Sequence, residues 1–163
     1  MPDLWVVNAS PLIVLCKINH HHLFSQLTPD IVIPHAVAAE INVGPEDDPA
    51  RQFLAASPFP VVEVVPDPAV LAWDLGAGET AVLSHTLANP GYTAILDDGA
   101  ARRCGRTLGV LLLGTLGLIL RARQADLIPA AVPVLKALQA HGFRLDDTLI
   151  RTVLPQTVGE NWD

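Results

Sequence analysis

Four acids stand where apolar runs give way to polar residues: Glu40 in Ala36-Val37-Ala38-Ala39-Glu40-Ile41, Glu79 after Gly76-Ala77-Gly78, and Asp97-Asp98 after Thr93-Ala94-Ile95-Leu96. Asn8 and Ser10 hold the equivalent place after Leu4-Trp5-Val6-Val7. Carboxylates that converge repel one another and are costly to desolvate, so a group of them at one mouth calls for a cation. Their donors are all oxygens, with no histidine or thiolate among them. That set suits Mg²⁺ or Mn²⁺ rather than zinc.

Alternating strands and helices must bring these residues together. Short Val/Ile/Leu runs without polar alternation, at 4–8, 31–33, 61–65, 93–96 and 110–112, read as strands buried on both faces. Helices are predicted from Ser10-Pro11 through 18, and over 35–41, 49–56, 78–88, 100–108 and 115–124. Ser10 and Asp48 are the expected N-caps, each followed by proline at the first helical position. The pattern predicts an α/β fold of three layers, a central, mostly parallel sheet flanked by helices. Apolar residues at helical spacing after 130 predict a C-terminal helical appendage (130–163) on a single domain spanning 1–163. In such sheets ligands bind beyond the carboxyl ends of the strands, where these polar residues fall.

At 163 residues the chain can bury roughly two-thirds of its unfolded surface and needs no disulfide or zinc to fold. Half of it is apolar and 17% is charged, which excludes intrinsic disorder. Cys16 and Cys104 lie in no metal spacing and read as small packed residues. No apolar stretch approaches the roughly 20 residues that span a bilayer, and the Met1-Pro2-Asp3 start is not that of a signal peptide. A cytoplasmic protein is the expectation. The net charge of −7 speaks against a broad nucleic-acid clamp, which is usually basic, though not against an enzyme that meets a few phosphates.

Read in order, these pieces carry a family likeness. Val6-Val7-Asn8-Ala9-Ser10-Pro11-Leu12-Ile13, Ile33-Pro34 through Glu40-Ile41, Leu75-Gly76-Ala77-Gly78-Glu79-Thr80-Ala81-Val82, Leu96-Asp97-Asp98-Gly99-Ala100-Ala101-Arg102-Arg103 and Leu113-Gly114-Thr115-Leu116-Gly117-Leu118-Ile119 together resemble the PIN-domain ribonucleases, in the toxin-like branch DUF3368. The resemblance implies a Mg²⁺- or Mn²⁺-dependent endoribonuclease acting on single-stranded RNA. It further implies the toxin of a toxin–antitoxin pair, with a small antitoxin protein as partner and a homodimer as the assembly. It assigns Glu40, Glu79 and Asp97 to the acidic positions that hold metal and support catalysis, with Asp98 the alternative one residue on. Ser10 and Thr115 match hydroxyl positions that support a ligand carboxylate or a water. The chain departs from the pattern at Asn8, where the family has its first acid. An amide oxygen still ligates a hard cation, but one full charge is lost, worth about 4 kcal/mol at about 4 Å before desolvation is subtracted.

Other readings stand beside these. Asn8 is also a turn-capping residue, and Glu79 also complements a helix dipole. Glu40 also reads as solvent-facing, and one of Asp97 and Asp98 as an N-cap. Arg102, Arg103 and Arg106 either meet RNA phosphates or form a solvated face, and Arg121 and Arg123 follow further on. His20-His21-His22 reads as an exposed loop after the first helix. For the whole chain, the alternative to a nuclease is a PIN-fold binding or regulatory module impaired by Asn8. A phosphoacceptor with an exposed Asp97 or Asp98 ranks last.

Overall fold

The first strand, β1 (Leu4–Val7), is the middle of a five-stranded, all-parallel sheet in the order β3-β2-β1-β4-β5. The computed structural model describes residues 3–28 and 30–163. β2 (Asp30–Pro34) and β3 (Val61–Val62) lie to one side of β1, and β4 (Tyr92–Ile95) and β5 (Leu111–Leu113) to the other. Register is set by Val6 opposite Val32 and Ala94, and by Ile95 opposite Leu113. Trp5, Val6, Val7, Ile33, Ala94 and Ile95 are fully buried, as strands covered on both faces require. Helices flank the sheet in a three-layer α/β arrangement.

The chain builds β1, β2 and β3 outward in one direction, then returns to the far side of β1 for β4 and β5. The reversal lies between β1 and β4. A crevice opens beyond the carboxyl ends of strands at such a switch point. Here Asn8 N–H donates to Ile95 O at 3.0 Å and extends the ladder by one rung. Asn8 and Asp97 thus leave adjacent strand ends.

Most predicted elements are present: α3 (His35–Asn42), α4 (Pro49–Ala56), α6 (Ala77–Ala88), α7 (Gly99–Thr107) and α8 (Thr115–Gln124). Asp48 caps α4 as expected, accepting from Ala50 N–H at 2.9 Å and Arg51 N–H at 3.2 Å. Four expectations are corrected. The first helix, α1 (Ala9–Lys17), begins before Ser10, so Asn8 holds the N-cap position instead. β3 ends at Val62 because its partner β2 ends at Pro34, where the chain turns into α3, and 63–66 runs unpaired. The histidine tract leads directly into a short helix, α2 (His22–Leu27), anchored by the buried Leu23 and Phe24, and His21 packs on Phe53 with ring centroids 5.1 Å apart. A further short helix, α5 (Pro68–Leu71), was not expected.

The chain closes with α9 (Ala131–Ala140) and α10 (Asp147–Val158), both packed on α8. Leu135, Leu138, Ile150 and Leu154 are fully buried and belong to the same apolar cluster as the strands. The N-terminus of α9 is capped from far along the chain. Glu160 accepts from Ala131 N–H at 2.9 Å and Val132 N–H at 3.0 Å. Among the described residues, no helix is long and apolar enough to cross a membrane.

Candidate metal centre

Asn8 ends β1 with extended backbone and its side chain 3% exposed, beside the first turn of α6. An Asn at an N-cap ordinarily accepts from the helix behind it, but this side chain makes no capping bond. Its Oδ1 is buried without any hydrogen-bond partner. An orphaned buried carbonyl oxygen carries a desolvation cost of order 1–3 kcal/mol unless something binds it.

Gly78 shows what that oxygen faces. A Cβ there would lie 3.0 Å from Asn8 Oδ1 and 3.0 Å from Glu40 Oε2, so the two oxygens converge on one point against the α6 backbone. Only glycine leaves that point open. Glu79 folds back over the same turn, its Oε2 2.6 Å from where a Gly76 Cβ would be. Glu40 and Glu79 share the wall of a hollow of about 350 Å³. Desolvation of the Glu40 carboxyl, then the negative charge of Glu79, raise its pKa above the usual carboxylate value. Water screens both effects, since Glu40 as a residue is solvent-exposed.

Asp97 is fixed differently. Thr115 N–H donates to its Oδ1 at 2.7 Å and Thr115 Oγ1–H donates to its Oδ2 at 2.6 Å. Thr115 itself is fully buried at the first turn of α8. Burial raises the Asp97 pKa, and the Thr115 bonds and the Arg102 charge only partly oppose it. Arg102 donates from Nη1 to Leu96 O at 3.1 Å, which holds the guanidinium beside Asp97. Asp98 turns the other way, as the N-cap of α7, with Oδ2 accepting from Ala101 N–H at 3.0 Å.

The structure therefore brings Asn8 and Glu40 together at Gly78, sets Glu79 against Gly76 on the same hollow as Glu40, puts Asp97 with Thr115 at the neighbouring strand end, and gives Asp98 a capping role. Ser10 is exposed and lines a hollow of about 250 Å³ with Glu40, Lys17, His141 and Phe143. A third hollow, of about 400 Å³, holds Asp97, Arg102, Phe143 and Arg144. Glu40 is common to the first two hollows and Phe143 to the last two. Arg103 and Arg106 are exposed and line none of them. The residues missed in the sequence are Gly76 and Gly78, whose signal was two glycines in one helical first turn, and Lys17, His141, Phe143 and Arg144, which carried none.

The donors suit a hard divalent cation. They are an unpartnered buried amide oxygen and carboxylate oxygens, with a gap kept open by glycine. Among the described residues, no three His, Cys, Asp or Glu side chains are grouped to hold a metal ion. One carboxylate and one amide meet at Gly78, with the Glu79 carboxylate nearby at Gly76 and Asp97 turned onto Thr115.

No curated protein matches the chain. The family model DUF3368, described as a PIN domain, matches residues 4–159, which takes in every residue of this centre. A sheet of five parallel strands with polar donors at its switch point is what such a match requires. The chain belongs to the PIN-domain family DUF3368, a nuclease-type fold.

Proposed function

We propose that the protein is a metal-dependent endoribonuclease acting on single-stranded RNA, the toxin of a toxin–antitoxin pair. The observation that carries this reading is the buried, unpartnered Asn8 Oδ1 converging with Glu40 Oε2 on the space that Gly78 leaves open. PIN domains generally use divalent metals, and the donor set here fits Mg²⁺ or Mn²⁺. Asn8, Glu40 and Glu79 would hold the ion, with Asp97 reached from the adjacent strand end. The bound ion would supply an activated water and neutralise charge on the attacked phosphate.

The chain's own residues do the rest. Thr115 fixes both Asp97 oxygens, so that carboxylate presents one orientation to substrate. Arg102, held by Leu96 O, offers its remaining N–H groups to a phosphate oxygen. On this reading the protein works in the cytoplasm, as a homodimer checked by a small antitoxin protein.

The test is cleavage of a labelled single-stranded RNA with Mn²⁺ and with EDTA. Cleavage with Mn²⁺ alone supports the reading, and none at any protein concentration refutes it. A second reading rests on Asn8 itself: a PIN-fold binding or regulatory module whose hydrolysis is impaired by the missing charge. If Asn8→Asp gains cleavage that the parent lacks, the second reading holds. Equal cleavage by both removes its support.

A further inference from the structure

We propose that Phe143 is a stacking platform for one unpaired base of the RNA, which deepens the nuclease reading and rests on it. Phe143 lies at the junction of two hollows, one carrying Glu40 and the other Asp97. Among the described residues it is the one aromatic side chain that lines both, with the His141 imidazole beside it on the Glu40 side alone. A strand running from one hollow to the other would pass Phe143.

The backbone holds this ring in a fixed place. α9 stops at His141 in a Schellman turn: Gly142 takes φ +86°, Gly142 N–H donates to Gln139 O at 3.0 Å and Phe143 N–H donates to Leu138 O at 3.0 Å. Leu138 is fully buried, so the turn is anchored in the core. A platform tied down in this way loses little freedom when a base covers it. Phe143 packs partly against the core, as the residue after such a turn often does, and stays half-buried where the two hollows meet.

The surroundings match a nucleotide. On the Asp97 side, Leu112, Leu116 and Leu149 give an apolar wall for a base, and Arg102 and Arg144 give positive charge for its phosphate. Among the described residues, neither arginine forms a salt bridge. The hollow sets these two arginines against two acids, Asp97 and Asp146, and is formally neutral in a protein of net charge −7. The hollow of about 400 Å³ is within the range of sites that take a ligand the size of one nucleotide. Selection for single strands follows, because a base can reach the ring only when it is out of a duplex stack.

The experiment uses the full chain and a short single-stranded RNA carrying 2-aminopurine, with EDTA present so that binding is read without cleavage. Stacking on Phe143 quenches the fluorophore. Phe143→Leu, which keeps apolar volume, is expected to lose the quenching and weaken binding roughly tenfold, as loss of one stacked base does. Phe143→Trp is expected to restore both, and the thermal midpoints of all three proteins should agree. Unchanged quenching and affinity in Phe143→Leu would overturn the platform. If that variant also cleaves with Mn²⁺ as the parent does, the nuclease reading survives without it. A parent that neither binds nor cleaves RNA overturns both.

Discussion

At the scale of single residues, Asn8 decides how tightly the centre holds an ion. It keeps the carbonyl donor and the position, yet lacks the charge its neighbours Glu40 and Glu79 would balance against a cation. Asn8→Asp is expected to raise Mn²⁺ affinity by roughly tenfold or more, read by titration calorimetry; even a fraction of one added charge at contact distance is worth that much. Without metal the same change adds a third carboxylate to the group and should lower the thermal midpoint. Gly78→Ala puts a methyl group 3.0 Å from both Asn8 Oδ1 and Glu40 Oε2. Its expected result is loss of Mn²⁺ binding with the helix content by circular dichroism unchanged, since alanine is a good helix former. Retained binding would mean the two oxygens do not act together.

Protonation gives the site a pH sense. Burial raises the Asp97 pKa, and desolvation raises that of Glu40, so both hold protons above the usual carboxylate range. Metal needs the deprotonated forms, so Mn²⁺ affinity should climb as pH rises through the raised values. Folding stability without metal runs the other way. A folded-state pKa above the unfolded one gives stability that is complete below the unfolded value and is lost as pH rises through the folded value. Thr115→Val removes the hydroxyl that donates to Asp97 Oδ2 at 2.6 Å. The expected outcome is a loss of about 1–3 kcal/mol of stability near neutral pH, shrinking in acid as Asp97 takes a proton. Urea unfolding at two pH values measures it.

At the scale of elements, the legible parts of the chain were those whose apolar pattern was long or bounded by strong punctuation. Four strands with unbroken Val/Ile/Leu character and the helix opened by Asp48-Pro49 could be placed to within a residue or two. The short helices α2 and α5 could not, because six and four residues show too little periodicity and are held by tertiary burial of Leu23, Phe24 and Val70. The site was legible in part. Asn8, Glu40, Glu79 and Asp97 follow from strand ends and from the family likeness, and the cap formed by Asp98 was one of two readings open for that pair. Phe143 was not legible, because its importance comes from α9 stopping over the mouth of a sheet built 30 or more residues earlier in the chain. The same long-range dependence shows in the cap of α9. Glu160→Gln keeps the shape but weakens a charged acceptor shared by two N–H groups, and should cost about 1 kcal/mol in urea unfolding.

At the scale of the whole molecule, the layout explains how an acidic protein can meet RNA. Each hollow mixes the two signs: Lys17 lies with Glu40 in one, and Arg102 and Arg144 with Asp97 and Asp146 in the other. On the proposed reading these cations would meet the phosphates of a bound strand beside the metal donors. The exposed apolar residues are spread over the molecule, Val65 after one edge strand of the sheet and Leu111 on the other, so the proposed homodimer is tested by mass in solution. Size-exclusion chromatography is expected to show twice the 17.4 kDa chain mass, and a species of 17.4 kDa alone would rule the homodimer out.

One measurement reaches the centre of this account, anomalous diffraction from crystals soaked in Mn²⁺. The predicted result is a manganese peak bounded by Asn8 Oδ1, Glu40 and Glu79, and lost in Gly78→Ala. A peak elsewhere, such as beside His20 and His22, or none at all at millimolar Mn²⁺, would contradict it.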